Sequence, residues 1–154
     1  VASISHRRGT LDFDDLGFEH RYSIMKAYER SKLANVLFAN ELARRFEGTG
    51  VTSNSLHPGA VDTNIWSGAP TWAKPVIRLF ARRMFISAEQ GGAAVVQLVA
   101  DPDLDGVTGR YFENGRAVSP AALADDTALA AKLWTVSADL VGLTAPGPTA
   151  DQTD

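Results

Sequence analysis

Cysteine is absent from the 154-residue chain, which excludes a disulfide framework, a thiolate nucleophile and a Cys-ligated metal site. Histidine is scarce: His6, His20 and His57 are scattered rather than spaced for ligation, so no metal site is expected. No apolar run approaches the roughly 18 residues that cross a bilayer. Basic residues are outnumbered 15 to 18, a formal charge of -3, and this argues against a nucleic-acid partner, whose phosphates demand a basic face. An apolar leader is missing as well. Residues 1–5 are too few, and His6-Arg7-Arg8 follows them instead of preceding them, so a cytoplasmic protein is expected. The initiator Met is also missing. Val1-Ala2-Ser3-Ile4-Ser5 reads as the end of a strand, so the chain is expected to be the C-terminal portion of something longer.

What is present reads as one globular domain. Hydrophobic residues make up 45% of the chain, and this length buries roughly two-thirds of its unfolded surface. Residues 7–24 show no period and read as a long loop, of the kind that is usually functional. Across 27–46 the pattern turns helical, with Ala27, Ala34, Leu37, Phe38, Leu42 and Phe46 on one side and Gly48 and Gly50 as the stop. A short strand is predicted over 51–56, ended by Pro58-Gly59. Helix followed closely by strand is half of a βαβ unit and implies a parallel sheet. After an irregular segment with an amphipathic stretch at 76–85, Ser87 and Gln90 form a capping box that opens a helix to about Ala100. Residues 107–112 are predicted as the last strand and 128–143 as the last helix. The Pro/Gly/Thr/Asp-rich tail 144–154 is expected to be disordered, leaving 1–143 as the domain.

The chemistry concentrates where the 27–46 helix begins, Ala27-Tyr28-Glu29-Arg30-Ser31-Lys32. Tyr28 and Lys32 stand at i and i+4, hence on one helix face. An ammonium one turn from a phenol favours the phenolate and brings a poor acid–base group toward working range. Ser3, at a strand end, can donate a hydrogen bond to a substrate oxygen. The three together make a Ser–Tyr–Lys proton-transfer site. A Tyr-x-x-x-Lys pair alone is also what a solvated helix face can show by chance.

Context decides between these. Tyr28-x-x-Ser31-Lys32-Leu33-Ala34-Asn35, then Gly48-Thr49-Gly50-Val51, then Leu56-His57-Pro58-Gly59-Ala60-Val61-Asp62-Thr63, in that order, resemble the short-chain dehydrogenase/reductase family and within it the retinol-dehydrogenase-like group. Phe13-Asp14-Asp15-Leu16 and Gly109-Arg110-Tyr111-Phe112 are similar to the same group, so the resemblance runs from Val1 to about Leu143. It implies an α/β fold, a partial Rossmann-like doubly wound parallel sheet comprising strands 5, 6 and 7 of the family sheet, with the N-terminal nucleotide-binding half absent. By the same resemblance Tyr28 is the general acid/base and Lys32 acidifies it and binds the nicotinamide ribose. Ser3, favoured over Ser5, orients the substrate oxygen. Pro58, Gly59, Val61 and Thr63 contact the nicotinamide. The implied cofactor is NAD(P)(H), with NADP favoured, and the implied substrate a small lipophilic alcohol or carbonyl compound. The 27–46 helix is a possible homodimer face.

Other features are expected to be structural. Pro58-Gly59 taken alone is a turn, His57 is structural, His6 is a loop residue, and Asp14-Asp15 and Glu41-Arg44-Arg45 are solvated charges. Residues 66–85 match the family's variable substrate segment, and their apolar-plus-Arg stripe suits a lipophilic substrate, a membrane surface or the core equally. The family's Gly-rich phosphate turn has no counterpart, since Gly91-Gly92 falls inside a helical pattern and Gly106 and Gly109 precede a strand. Two functions therefore stand: the catalytic half of an oxidoreductase, and a non-catalytic fragment or interaction module unable to bind the dinucleotide alone.

Overall fold

A parallel strand pair covered by helices on both faces forms the centre of the computed structural model, which describes residues 1–59 and 86–143. The expectations for Val61, Thr63, the 66–85 segment and the 144–154 tail lie outside the described residues. Helix α1 (Ile24–Arg45) has no Gly or Pro to interrupt it. Its Leu33, Val36 and Leu37 are fully buried, the i, i+3, i+4 spacing that turns one stripe inward. It starts three residues before the predicted position. Ile24 and Met25 are exposed, so no packing period marks the first turn. Gly48 and Gly50, at φ +79° and +81°, occupy left-handed backbone beyond its end.

Strand β1 (Ser55–His57) pairs in parallel with β2 (Tyr111–Glu113), matching Ser55 to Tyr111, Leu56 to Phe112 and His57 to Glu113. β1 is shorter than the predicted 51–56. The residues leading into it are held by side chains instead: Ser53 N–H donates to Thr108 Oγ1 (2.9 Å), and Asn54 Nδ2 donates to the Val107 carbonyl (2.7 Å). The expected parallel sheet acquires an unexpected member. β3 (Arg116–Val118) runs antiparallel to β2, giving the order β1-β2-β3. The connecting Asn114 and Gly115 both have positive φ, +50° and +71°, the geometry of a two-residue hairpin turn.

The two sheet faces bury different helices. Tyr111 joins Leu33, Val36, Leu37 and Leu133 in the main core beneath α1 and α3 (Thr127–Leu140). Leu56 and Phe112 point the other way, toward Ala94 and Leu98 of α2 (Ala88–Ala100). The capping box predicted for α2 is present, with reciprocal bonds between Ser87 and Gln90. α3 locks onto α1 through Phe38 stacked on Trp134 (5.3 Å), with the Arg45 guanidinium over the same indole. Beneath this contact Glu41 is buried, its carboxylate bonded by Arg44 and Arg45. The charges expected to be solvated are thus a buried carboxylate closed by two cations from the next turn. Arg44 hydrogen bonding holds it below the ordinary carboxylate range against the opposing effect of burial.

The opening of the chain is also corrected. Residues 1–5 supply one ladder bond rather than a strand: Ala2 N–H donates to the Leu56 carbonyl at 2.7 Å. Ser3 stays extended and then caps a 3-10 helix, Ile4–Arg8.

Candidate active site

Ser3 is 7% exposed and lies one residue beyond the bond that ties the chain start to β1. Its Oγ accepts from the Ser5 amide at 3.3 Å. Its carbonyl accepts from the His6 amide at 3.0 Å, and His6 Nδ1 lies 2.8 Å from the same oxygen. Ser5 falls inside the 3-10 helix with its amide consumed by that cap. Of the two serines, Ser3 alone combines extended backbone with a place beside the sheet.

Tyr28 and Lys32 occupy the second and third turns of α1, both half-buried. The helix period brings them together as expected: Lys32 Nζ stands over the Tyr28 ring, 5.3 Å from its centroid. A cation at this range is attracted to the face of the ring. The segment carrying Ser3 runs against the same part of α1. A Cβ at Gly9 would meet the Glu29 carbonyl and the Leu33 side chain at 2.5 and 2.7 Å. Val1 is tied to α1 by Asn35 Nδ2, which donates to its carbonyl at 3.0 Å. Those contacts are made by the neighbours in sequence of Tyr28 and Lys32 and by the next turn.

Pro58-Gly59 follows β1 directly, so this turn and Ser3 leave the sheet within two residues of one hydrogen bond. Gly59 has φ +101°, and a Cβ there would strike the end of the Ile86 side chain at 2.6 Å. The turn therefore needs glycine for its own conformation, whatever else it contacts.

Several residues in this neighbourhood gave no functional signal in the sequence. His6 is fully buried, its ring tilted on Tyr111 at 4.6 Å between centroids. Its Nε2 accepts from the Ala121 amide at 2.9 Å, so that nitrogen is unprotonated and Nδ1 carries the proton given to the Ser3 carbonyl. Burial holds it below the ordinary histidine value. His57 is shifted the same way by burial, partly offset by Glu113. Burial, reinforced by Glu113, pushes the Tyr111 phenol well above its ordinary value. Among the described residues, Ser55 Oγ, His57 Nδ1 and the Tyr111 hydroxyl are buried without a well-formed hydrogen bond. Arg30, midway between Tyr28 and Lys32 and two residues from each, staples the long loop. It donates to the carbonyls of Thr10, Asp15 and Leu16, and stacks on Phe18.

No family model matches the chain. Retinol dehydrogenase 14 from Homo sapiens is 41% identical over 145 residues, covering 93% of this chain and 43% of its own length. Short-chain dehydrogenase TIC 32 B, chloroplastic, from Brassica napus is 40% identical over 146 residues, 92% of this chain and 45% of its own. Over nearly its whole length the chain is similar to retinol dehydrogenases and short-chain dehydrogenases. A crystal structure of an uncharacterized protein from Mycobacterium paratuberculosis superposes on 94% of this chain with a TM-score of 0.66 and 28% identity, and half of that chain is matched. The chain thus spans less than half the length of the curated short-chain dehydrogenases it matches.

Dinucleotide binding in this family can be tested against the residues described. Lys32, Tyr28 and the Pro58-Gly59 turn fit the nicotinamide–ribose end, being a cation, a hydroxyl and half-buried turn backbone on adjoining elements. A pyrophosphate needs a free helix N-terminus. Among the described helices, Ser87 caps α2 by taking the Gln90 amide and Asp126 caps α3 by taking the Leu129 amide, so each N-terminus carries a side-chain cap of its own. α1 opens on Ser23 followed by Ile24 and Met25, with no glycine in its approach. Among the described residues the fit is to one end of the cofactor.

Proposed function

We propose that this chain carries the proton-transfer part of a short-chain dehydrogenase/reductase that interconverts an alcohol and a carbonyl compound, with Tyr28 as general acid/base. The observation that supports this most is the Lys32 ammonium over the half-buried Tyr28 ring, on helix turns against which the Ser3 segment packs. NAD(P)(H), when bound, supplies or accepts the hydride. In the reducing direction the Tyr28 hydroxyl gives its proton to the carbonyl oxygen as that oxygen gains negative charge, and Lys32 stabilises the phenolate left behind. In the oxidising direction the phenolate takes the proton of the alcohol. The Ser3 hydroxyl, whose oxygen already accepts an amide bond, has its proton free for the substrate oxygen. Pro58-Gly59 and Lys32 hold the nicotinamide–ribose end. The names of the relatives make a lipophilic alcohol such as a retinoid the favoured substrate class.

Tyr28→Phe in the native protein is expected to lower turnover by about three orders of magnitude, the scale of a lost general acid, with the melting temperature unchanged. Retained turnover rejects the assignment. A second reading, a fragment or interaction module without dinucleotide affinity, is favoured by a sequence in which the family's Gly-rich phosphate turn has no counterpart. Titrating NADPH into the isolated 154 residues and following its fluorescence separates the two for this chain. No saturable binding is expected, and micromolar binding to a monodisperse sample overturns the second reading.

A further inference from the structure

Two adjacent residues of the Ile4–Arg8 turn reach the same distant segment. His6 Nε2 accepts from the Ala121 amide at 2.9 Å, and Arg7 Nη2 donates to the Ser119 carbonyl at 2.9 Å, spanning 115 and 112 positions of sequence. Arg7 also pairs with Glu113 on β2 at 3.3 Å. The other side of the His6 ring is committed to Ser3, whose carbonyl receives both the His6 amide and Nδ1–H. Both ring nitrogens are used and the side chain is fully buried, so the imidazole has no group left to offer a substrate. It can act only by holding something else.

We propose that His6 is a positioning residue that fixes the Ser3 backbone by clamping it to the 119–121 strap. This rests on the reading of Ser3 as the group that orients the substrate oxygen. With two donors on its carbonyl, Ser3 has the orientation of its peptide plane set. The Ser5 amide then sets the direction of Oγ, and together these bonds aim the hydroxyl. The tautomer is part of the device, because Ala121 N–H is a donor and forces Nε2 to be the acceptor, leaving Nδ1–H for Ser3.

Three variants separate positioning from filling space. His6→Asn places an amide N–H near Nδ1 and keeps only the Ser3 bond. His6→Gln extends an acceptor toward Ala121 and keeps only the strap bond. His6→Phe keeps the ring and neither bond. In the native protein, assayed with NADPH and a lipophilic aldehyde, kcat is expected to fall about tenfold or more in His6→Gln and His6→Phe. In His6→Asn it should stay within about threefold, with the KM for NADPH unchanged throughout. Hydrogen exchange at the Ala121 amide should run in the opposite order, remaining slow in His6→Gln and becoming fast in His6→Asn. Activity losses that track melting temperature alone, with no difference between Asn and Gln, overturn the proposal. The nitrogen-15 shifts of His6 in the unmodified 154-residue chain provide a test independent of variant folding and of turnover. Nδ1 must be the protonated nitrogen near pH 7, and an Nε2-protonated ring overturns the clamp. If Tyr28→Phe retains turnover while the tautomer and exchange pattern hold, the catalytic reading has failed and the clamp has not.

Discussion

At the N-terminal end of α1, Lys32 stands over the Tyr28 ring and, among the described residues, pairs with no carboxylate. At the C-terminal end, Arg44 and Arg45 close on Glu41, which is 1% exposed, with bonds of 2.7 to 2.9 Å. The same one-turn spacing puts a cation beside its partner at both ends. The difference is the partner. A carboxylate neutralises the cations and is itself buried as structure, whereas an aromatic ring leaves the positive charge unneutralised. One helix thereby separates stability from chemistry along its length.

Substitutions at the two ends should therefore have opposite effects, and the largest contrast is in turnover. Tyr28→Phe should remove activity and leave stability alone, while Glu41→Gln should do the reverse. Hydrogen bonds to a buried charge are worth about 2 kcal/mol, so Glu41→Gln is expected to lower unfolding free energy by about that amount in urea titrations. Turnover per folded molecule should be unchanged. A Glu41 variant that loses activity without losing stability would break the division.

Acidification comes next. His6 and His57 have folded-state values below the ordinary 6.5, so the unfolded chain takes up protons first as pH falls. Their contribution is complete above 6.5 and is lost as pH drops toward their folded values. Glu41, also depressed, adds a further loss below the ordinary carboxylate value of 4.5. Arg7, Glu113 and Tyr111 surround His6. The Ser3 carbonyl and the Glu113 carboxylate oppose its shift while burial, Arg7 and His57 outweigh them, so melting temperature should decline between pH 7 and 5, and His6→Phe should shrink that decline. A flat profile would show that neither histidine is held neutral. The smallest expected effect is at Tyr111. Among the described residues its buried hydroxyl makes no well-formed hydrogen bond, with the Glu113 carboxylate nearby, so Tyr111→Phe should leave stability within about 1 kcal/mol or raise it. A larger loss would mean that the hydroxyl has a partner.

Local rules explain which parts were legible in the sequence. Tyr28 and Lys32 could be placed on one face because helical period alone does it, and the Ser87–Gln90 box because it needs only neighbours three residues apart. β3 was missed although Asn114-Gly115 is the strongest short hairpin signal. All three residues of that strand are exposed, so there was no hydrophobic alternation to draw attention to it. The start of α1 was missed for the same reason. Glu41 and His6 were read as surface and loop because burial of a polar side chain depends on partners. The arginines of Glu41 were visible one turn away, but the α3 indole that packs against Arg45 was not.

Chain order and short-range spacing determined by themselves the α/β alternation, the principal helix and the pairing of a phenol with an ammonium, since each is settled within a turn or two of backbone. Tertiary structure alone decided that Ser3 ends beside β1, that His6 takes one tautomer and that Ser3 is tied to a segment more than a hundred residues away. Those outcomes depend on which buried donor meets which acceptor, and residues that distant acquire a common geometry only when the chain has packed.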